Sequence, residues 1–189
     1  MTDRLDVLSP ASFDPLLVER AASLLCRVWP KPGRTVASRS AQLAEEFASY
    51  AGPPERAPRG FLVTEQGEAI AYAAILPREI ACDGRRVVIA GLARVCTAPE
   101  RRGRGLGERV VRTALALVDE GHLPWSLFQT TQAVRPFYER IGAVLVGNRI
   151  VNSLADDPQA NPFWDELAMR YPAQAPAPEG VIDLLGPGF

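Results

Sequence analysis

The sequence has little of what several classes of protein need. Its 189 residues include three cysteines, one histidine and a single lysine, Lys31. The cysteines are odd in number and widely spaced, so they fit neither a disulfide framework nor a zinc site. A net charge of −1 gives no strong overall field for nucleic acid or an anionic membrane. The longest apolar stretches, such as AIAYAAIL at 69–76, are too short to span a bilayer, and MTDRLDVLSP lacks an apolar signal region. We therefore predict a cytoplasmic protein without a metal.

Apolar residues recur at helical spacing in two segments near the N-terminus, residues 13–29 and 38–50. Short apolar runs then predict a three-stranded meander, followed by a helix between two strands that we expect to be parallel. This order predicts a mixed α+β fold with a mostly antiparallel central sheet, one parallel β-α-β crossover and helices on both faces. The remaining predicted elements are strands at 4–9, 60–65, 69–76, 86–97, 124–130 and 180–185, helices at 108–120, 132–142 and 163–171, and a hairpin at 143–154.

Glycine and proline mark the turns and the expected boundaries. Asp83-Gly84 predicts a turn before the third meander strand, and Gly91 inside that strand predicts a bulge or a close backbone approach. A Pro/Ala-rich stretch at 173–180 reads as a linker. We expect residues 1–154 to form the core and residues 155–189 to form a C-terminal extension that packs on the same domain.

Residues 101–107 read RRGRGLG and separate an apolar strand from an apolar helix. Glycines let a backbone approach a ligand closely, and the N-terminus of a helix leaves N–H groups free to bind a phosphate. The Walker pattern is absent, and Glu108 stands where a dinucleotide-binding loop needs its third glycine. The pattern that remains is R-x-x-G-x-G, formed by Arg102, Gly105 and Gly107. It predicts an anion-binding loop, and a solvated turn with its arginines in water is the alternative.

The R-x-x-G-x-G stretch resembles the acyl-CoA pyrophosphate loop of the GCN5-related N-acetyltransferase (GNAT) superfamily. A second segment, QAVRPFYERIGAV at 132–144, is similar to the A-x-x-F-Y-x-x-x-G-[FA] motif of that superfamily. The predicted order of elements over residues 4–154 fits as well. The resemblance implies an enzyme that transfers an acetyl or other acyl group from acyl-CoA, its co-substrate, to a primary amine.

The resemblance also assigns the residues that would bind the cofactor. Backbone groups at the end of the third meander strand would bind the pantetheine arm, and an N–H near Val95 would polarise the thioester carbonyl. N–H groups of the loop would hold the pyrophosphate. The residues concerned are Val95, Cys96, Thr97, Arg102, Gly103, Arg104, Gly105, Leu106 and Gly107.

Two further residues are candidates for proton transfer. By the resemblance, Tyr138 occupies the superfamily's general-acid position and would protonate the departing CoA thiolate. The alternative is that Tyr138 is a core aromatic beside Phe137. In either case we expect Phe137 to be the better core residue of the two. The amine needs a base, because a pKa near about 10 leaves it mostly protonated at neutral pH. Glu79, which follows strand 69–76, is the candidate base, and a solvated strand-end glutamate is the alternative. Arg94 departs from relatives that carry an acid or a small residue there.

The tail PAPEGVIDLLGPGF at 176–189 is similar to two groups within the superfamily. These are the aminoglycoside 2′-N-acetyltransferases and the nodulation N-acyltransferases, and both act on amino-sugar amines. By that resemblance, Asp183 or the Phe189 carboxylate would contact an amine. An edge strand at VIDLL with a loose end is the alternative.

Two other functions stay open at the level of sequence. One is a non-catalytic acyl-CoA-binding module with a regulatory role. The other is a nucleic-acid binder that uses the arginines of the loop and the following helix, but the acidic pI of about 5.9 disfavours it. We expect a small-molecule amine as partner, with no nucleic acid and no membrane. Members of the superfamily often form dimers, so a homodimer stays open.

Overall fold

The computed structural model describes residues 3–82 and 84–189. These residues form four α-helices and nine β-strands. The helices are α1 (Pro15–Val28), α2 (Val36–Ala48), α3 (Leu106–Asp119) and α4 (Arg135–Ile141). The strands are β1 (Arg4–Leu8), β2 (Arg59–Glu65), β3 (Glu68–Cys82), β4 (Arg85–Thr97), β5 (Ser126–Thr130), β6 (Val144–Leu145), β7 (Ile150–Val151), β8 (Leu167–Tyr171) and β9 (Ile182–Asp183).

The pairing of the strands confirms the predicted α+β class. The sheet runs in the order β1-β2-β3-β4-β5-β8-β6, and β9 pairs with β3 and β7. Most pairs are antiparallel, whereas β4 and β5 are parallel and are joined through α3. This is the predicted β-α-β crossover. The two-residue pair of β7 and β9 is also parallel.

Three of the α-helices begin or end at signals that are visible in the sequence. The Asp14 carboxylate accepts a hydrogen bond from the Leu16 N–H at 2.9 Å and caps α1, with Pro15 in the first turn. Thr35 and Ser38 form a reciprocal capping box at α2, and Gly142, with φ of 104°, ends α4. The helices predicted there are confirmed to within a few residues. None of the helices in the described part of the chain is long and apolar enough to cross a membrane.

The chain forms two compact units that are interleaved in sequence. The first unit contains Met1–Leu76 and Ala93–Ala116, and the second contains Pro77–Leu92 and Leu117–Phe189. The chain passes from one unit to the other within β3, β4 and α3.

In the first unit, β2 lies between β1 and the first half of β3. It pairs with β1 over five residues, from Arg4 opposite Thr64 to the end of the strand. Gly60 on β2 leaves room for the fully buried Tyr72, because a Cβ at Gly60 would lie 2.7 Å from the tyrosine hydroxyl oxygen. Any side chain at this position would therefore displace Tyr72.

In the second unit, β5 lies between the first half of β4 and β8. The parallel register places Gly91 opposite Leu127, and β8 pairs with all five residues of β5. The core of this unit is a cluster of buried apolar side chains. Its members are Ile80, Ile89, Trp125, Leu127, Ile150, Phe163, Ile182 and Leu184.

Two predictions for the C-terminal part were wrong. Residues 163–171, predicted as a helix, contain β8, because this segment pairs with β5 in the sheet. The hairpin predicted at 143–154 does not form, since β6 pairs with β8 and β7 pairs with β9. In both cases a partner distant in sequence decides the structure, and local periodicity carries no signal for it.

The unusual backbone conformation in β4 occurs at Arg94, three residues after Gly91, where the sequence predicted a bulge or a close backbone approach. Arg94 has φ of 56°, in the left-handed region, whereas Gly91 sits in regular parallel pairing. The predicted turn at Asp83-Gly84 includes Asp83, which lies outside the described residues.

Candidate acyl-CoA site

The loop between β4 and α3 provides backbone donors in an open setting. Gly103 and Gly105 have φ of 78° and 73°, and a Cβ at either position would meet nothing within 4 Å. Glycine is therefore needed for its backbone conformation and not for lack of space. The Arg109 N–H donates to the Gly105 carbonyl at 3.0 Å, which makes Gly105 the residue before the first turn of α3. The N–H groups of Leu106 and its neighbours in that turn have no intrahelical acceptor.

The loop arginines differ in what holds them. Glu65, at the end of β2, has a side chain only 6% exposed, and it pairs with Arg101 at 2.8 Å and with Arg104 at 3.1 Å. Arg102 is exposed and makes no ion pair with any residue in the described part of the chain. Glu65 thus fixes the two arginines on either side of Arg102 and leaves Arg102 available for an anion. The sequence analysis did not single out Glu65, because an acidic residue at a strand end is usually solvated.

The end of β4 carries the three residues expected to bind pantetheine. Cys96 is buried, and burial raises the pKa of its thiol to about 12. Val95 and Thr97, on either side, are half-buried. The thiol is therefore neutral at physiological pH, which fits a packing role for the side chain and leaves the backbone as the binding element.

Arg94 is held in a partly buried network that the sequence analysis missed. Its guanidinium donates two hydrogen bonds to the Glu46 carboxylate on α2, one of them 2.6 Å long. It also interacts with the Tyr72 hydroxyl. Burial alone would lower the pKa of Arg94, but the hydrogen bond and charge of Glu46 outweigh burial and raise it. Arg94 therefore stays charged.

Tyr138 lies on α4 in the second unit and is only 5% exposed. Its ring centroid is 4.6 Å from that of Phe128 and 4.9 Å from that of Phe137. Burial, and after it the charge of Asp165, raise the pKa of Tyr138 above its ordinary value. Phe137 is less buried than Tyr138, so the expectation that Phe137 is the better core residue was wrong.

Glu79 lies on the second half of β3. Its carboxylate is about half exposed and pairs with Arg86 at 2.7 Å. It lines a surface cavity of about 360 Å³ together with Arg78, Arg86 and Leu154. The cavity places a carboxylate where a small molecule can reach it.

The two acidic groups of the tail have partners within the second unit. Asp183 accepts hydrogen bonds from the backbone N–H groups of Ser153 and Leu185, each at 3.0 Å. Burial acts to raise the pKa of Asp183, but hydrogen bonds from the side chain and backbone of Ser153, then from Leu185, and the charge of Arg86 outweigh it, so the pKa lies below its usual value. The backbone oxygen of Phe189 accepts a hydrogen bond from the side-chain amide of Gln129 at 3.0 Å. In the described residues, no group of three or more His, Cys, Asp or Glu side chains could hold a metal ion.

Comparison with known proteins identifies the family. Residues 17–146 match the model of the acetyltransferase (GNAT) domain. A search of curated proteins found no match.

Similar folds occur among solved structures. A GNAT family N-acetyltransferase (YhbS) from Escherichia coli in complex with CoA has a TM-score of 0.63 and 16% identity, over 96% of this chain and 89% of that one. Glucosamine-6-phosphate N-acetyltransferase from Arabidopsis thaliana has a TM-score of 0.57 and 16% identity, over 75% and 91%. A GCN5-related N-acetyltransferase from Kribbella flavida has a TM-score of 0.58 and 23% identity, over 77% of this chain. The present chain spans only 34% of the Kribbella protein.

These structural likenesses show the fold alone, because every identity is below 25%. The family model is the stronger finding, since it extends from α1 to just beyond β6 and covers more than half of the chain. The chain therefore belongs to the GNAT acetyltransferase family.

Proposed function

We propose that the protein is an acyl-CoA-dependent N-acyltransferase that moves an acetyl group, or another acyl group, to a primary amine. The observation that carries the proposal is the loop at the start of α3. Its left-handed glycines, the N–H groups of the first helical turn and Arg102, which has no ion pair among the described residues, could together bind a pyrophosphate. Membership of the GNAT family supports the same function.

In this proposal the N–H groups of Arg102, Gly103, Arg104, Gly105, Leu106 and Gly107 bind the pyrophosphate of the co-substrate. The dipole of α3 favours the negative charge, and the guanidinium of Arg102 adds a charge-assisted hydrogen bond. The backbone of Val95, Cys96 and Thr97 binds the pantetheine arm, and an N–H near Val95 polarises the carbonyl. Acetyl-CoA, when bound, supplies the thioester and the thiol leaving group.

Tyr138 and Glu79 are the proposed proton donor and proton acceptor. A raised pKa keeps the Tyr138 phenol protonated at neutral pH, as a general acid must be. The Glu79 carboxylate lines an open cavity, which supports a role in taking the proton from the amine. Its ion pair with Arg86 counts against this role, because the carboxylate would have to release Arg86 before it could accept a proton from the amine.

We propose further that the acceptor is an amino-sugar amine. The support is the similarity of the tail to the aminoglycoside and nodulation groups, together with the fold likeness to a protein named as a glucosamine-6-phosphate N-acetyltransferase. Asp183 or the carboxylate of Phe189 would contact the amine in this proposal. Both groups already accept hydrogen bonds within the chain, so either would have to give up a partner when the amine binds.

The first test is a thermal melt with and without acetyl-CoA. At 100 times its Kd, a ligand adds about 2.7 kcal/mol, which raises the Tm of a chain this size by about 5–10 °C. We expect that rise in the native protein and its loss in Arg102→Ala. The matched control is Arg112→Ala, which removes an exposed arginine of α3 that pairs with Glu108.

A colorimetric assay for free thiol, run with a panel of primary amines, then tests transfer. Thiol release that depends on the amine supports the transferase. A Tm rise without transfer to any amine points to the non-catalytic acyl-CoA-binding module. No Tm rise with millimolar acetyl-CoA, CoA or longer acyl-CoA would remove the proposed co-substrate and the function with it.

A further inference from the structure

The first unit contains a cluster of cations that the proposed chemistry does not use. We call it the α2 arginine cluster. It contains three guanidinium groups, one amide and one carboxylate, contributed by α2, the segment before it and β4. Its members are Arg34, Arg39, Gln42, Glu46 and Arg94.

Hydrogen bonds connect the members of the cluster. The side-chain oxygen of Gln42 accepts from Arg39 at 3.0 Å and from Arg34 at 3.4 Å. The amide nitrogen of Gln42 donates to Glu46 at 3.2 Å, and Glu46 binds the guanidinium of Arg94. Within the cluster, one carboxylate stands against three guanidinium groups and binds only one of them directly, so the cluster has an excess of positive charge.

Arg39 is the member whose charge and hydrogen-bond donors are least balanced by partners. It is only 7% exposed, and its Nε has no hydrogen-bond partner among the described residues. Burial, and then the charges of Arg34 and Arg94, lower its pKa. A buried guanidinium normally has its donors satisfied and its charge paired, so this one is suited to an anion from outside the chain.

Solvent reaches the other members of the cluster. The side chains of Glu46 and Arg94 are 27% and 17% exposed, and Arg34 is exposed. The cluster thus combines an exposed guanidinium, a partly exposed one and a buried one.

We propose that the α2 arginine cluster binds the acidic group of the acyl acceptor, so that the acceptor is a primary amine that also carries a carboxylate or a phosphate. This inference rests on the proposed transferase function and narrows its substrate class. The planar fork of an arginine matches both kinds of acidic group, and two or more such forks discriminate against an amine that lacks an acidic group. Gln42 and Glu46 hold Arg39 and Arg94 in place.

The experiment compares amines in matched pairs that differ only in the acidic group. The pairs are ethanolamine with phosphoethanolamine, tyramine with tyrosine, and glucosamine with glucosamine 6-phosphate. Thiol release gives kcat and KM for each amine, and calorimetry on the CoA-saturated protein gives binding without turnover. We expect the acidic member of at least one pair to have a kcat/KM at least about 10-fold higher. Comparison of the phosphate pairs with the carboxylate pair shows which acidic group the protein prefers.

Variants then assign that preference to the cluster. Arg39→Gln and Arg94→Lys should raise the KM of the acidic amine about 10- to 100-fold, as expected when a charge-assisted hydrogen bond is lost. The KM of the matched amine without an acidic group and the KM of acetyl-CoA should each change by less than about 3-fold. Arg56→Gln, which removes an exposed arginine outside the cluster, is the matched control. Since Arg39→Gln can destabilise the fold, its Tm is measured, and Arg39→Lys and the exposed Arg34→Gln are tested beside it.

Three results would overturn the proposal. One is equal binding and turnover of the two members of every pair, with and without the acidic group, by a protein that binds acetyl-CoA. Another is a rise in the KM of acetyl-CoA in the cluster variants, which would assign the arginines to the co-substrate. The third is failure of all acidic amines to bind in calorimetry, even where no amine is turned over. Failure of the transferase function itself would be separate, because it would appear as no Tm rise with acetyl-CoA.

Discussion

At the scale of single residues, burial decides which side chains can take part in chemistry. Tyr138 and Cys96 are 5% and 6% exposed, and burial raises the pKa of both. The consequences are opposite. A tyrosine with a raised pKa keeps the proton that a general acid needs, whereas a cysteine with a raised pKa lacks the thiolate that a nucleophile needs.

Tyr138→Phe tests the acid role while preserving the ring packing against Phe128 and Phe137. Loss of a general acid should lower kcat by about 100-fold or more, with the KM of acetyl-CoA within about 3-fold. Steady-state kinetics measures both. The matched control is Tyr50→Phe, which removes a hydroxyl that donates a hydrogen bond to the Pro53 carbonyl. Unchanged kcat in Tyr138→Phe would mean that Tyr138 is a core aromatic only.

The pH profile gives a second test of Tyr138. A phenol is protonated below its pKa, and burial raises the pKa of this one, so activity would be lost only as the pH rises through that raised value. The rate should therefore increase with pH as the amine deprotonates, with no falling limb from Tyr138 below its ordinary pKa of about 10. A falling limb near neutral pH, absent in Tyr138→Phe, would contradict the raised pKa.

Alkylation should separate the three cysteines. With a pKa of about 12, the buried Cys96 thiol holds almost no thiolate near about pH 8, whereas Cys26 and Cys82 are partly exposed. Iodoacetamide should label Cys26 or Cys82 well before Cys96, as followed by peptide mass spectrometry, and all three should react in denaturant. Labelling of Cys96 at the same rate in the native protein would show that the end of β4 opens to solvent.

At the scale of elements, the sequence predicts what is locally determined. Asp14 and Gly142 mark helix ends by their own chemistry, and RRGRGLG marks a strand-to-helix junction by its glycines. The strand character of residues 167–171 comes from five pairings with β5, and nothing within those residues signals it. The charged contacts of the candidate site were missed for the same reason. Glu65 lies 39 residues from Arg104, and Glu46 lies 48 residues from Arg94.

The loop can be tested with two glycines that share one conformation. Gly105 and Gly33 both have φ of 73° and open space around a Cβ. Alanine at either position should therefore cost a similar free energy of unfolding, about 1–2 kcal/mol, measured by urea denaturation. Only Gly105→Ala should raise the KM of acetyl-CoA, by about 10-fold or more, because strain there displaces the N–H groups of the first turn of α3. Equal KM values in the two variants would exclude the loop from binding.

At the scale of the whole molecule, each compact unit is assembled from two separate segments. The second unit draws on Pro77–Leu92 and on everything after Leu117, including the tail. Within it, β9 pairs with β7 and with the second half of β3, and β8 pairs with β5. Residues 155–189 therefore supply two strands to this unit. That residues 1–154 form the core and residues 155–189 an extension packing on the same domain, as the sequence analysis expected, stays a prediction.

Two adjacent residues of the tail show how far the second unit depends on it. Ile182 is fully buried among the core side chains, whereas Val181 is 48% exposed. Ile182→Ala should lower the free energy of unfolding by about 2–5 kcal/mol, because it leaves a cavity among the buried core side chains of this unit. Val181→Ala should change it by less than about 0.5 kcal/mol. Urea denaturation measures both, and equal small losses would mean that the tail is an appendage whose removal the unit tolerates. A large loss of stability in Ile182→Ala alone would instead show that the unit needs β9 in order to fold. The Gly- and Pro-rich residues around β9 would then serve to position that strand.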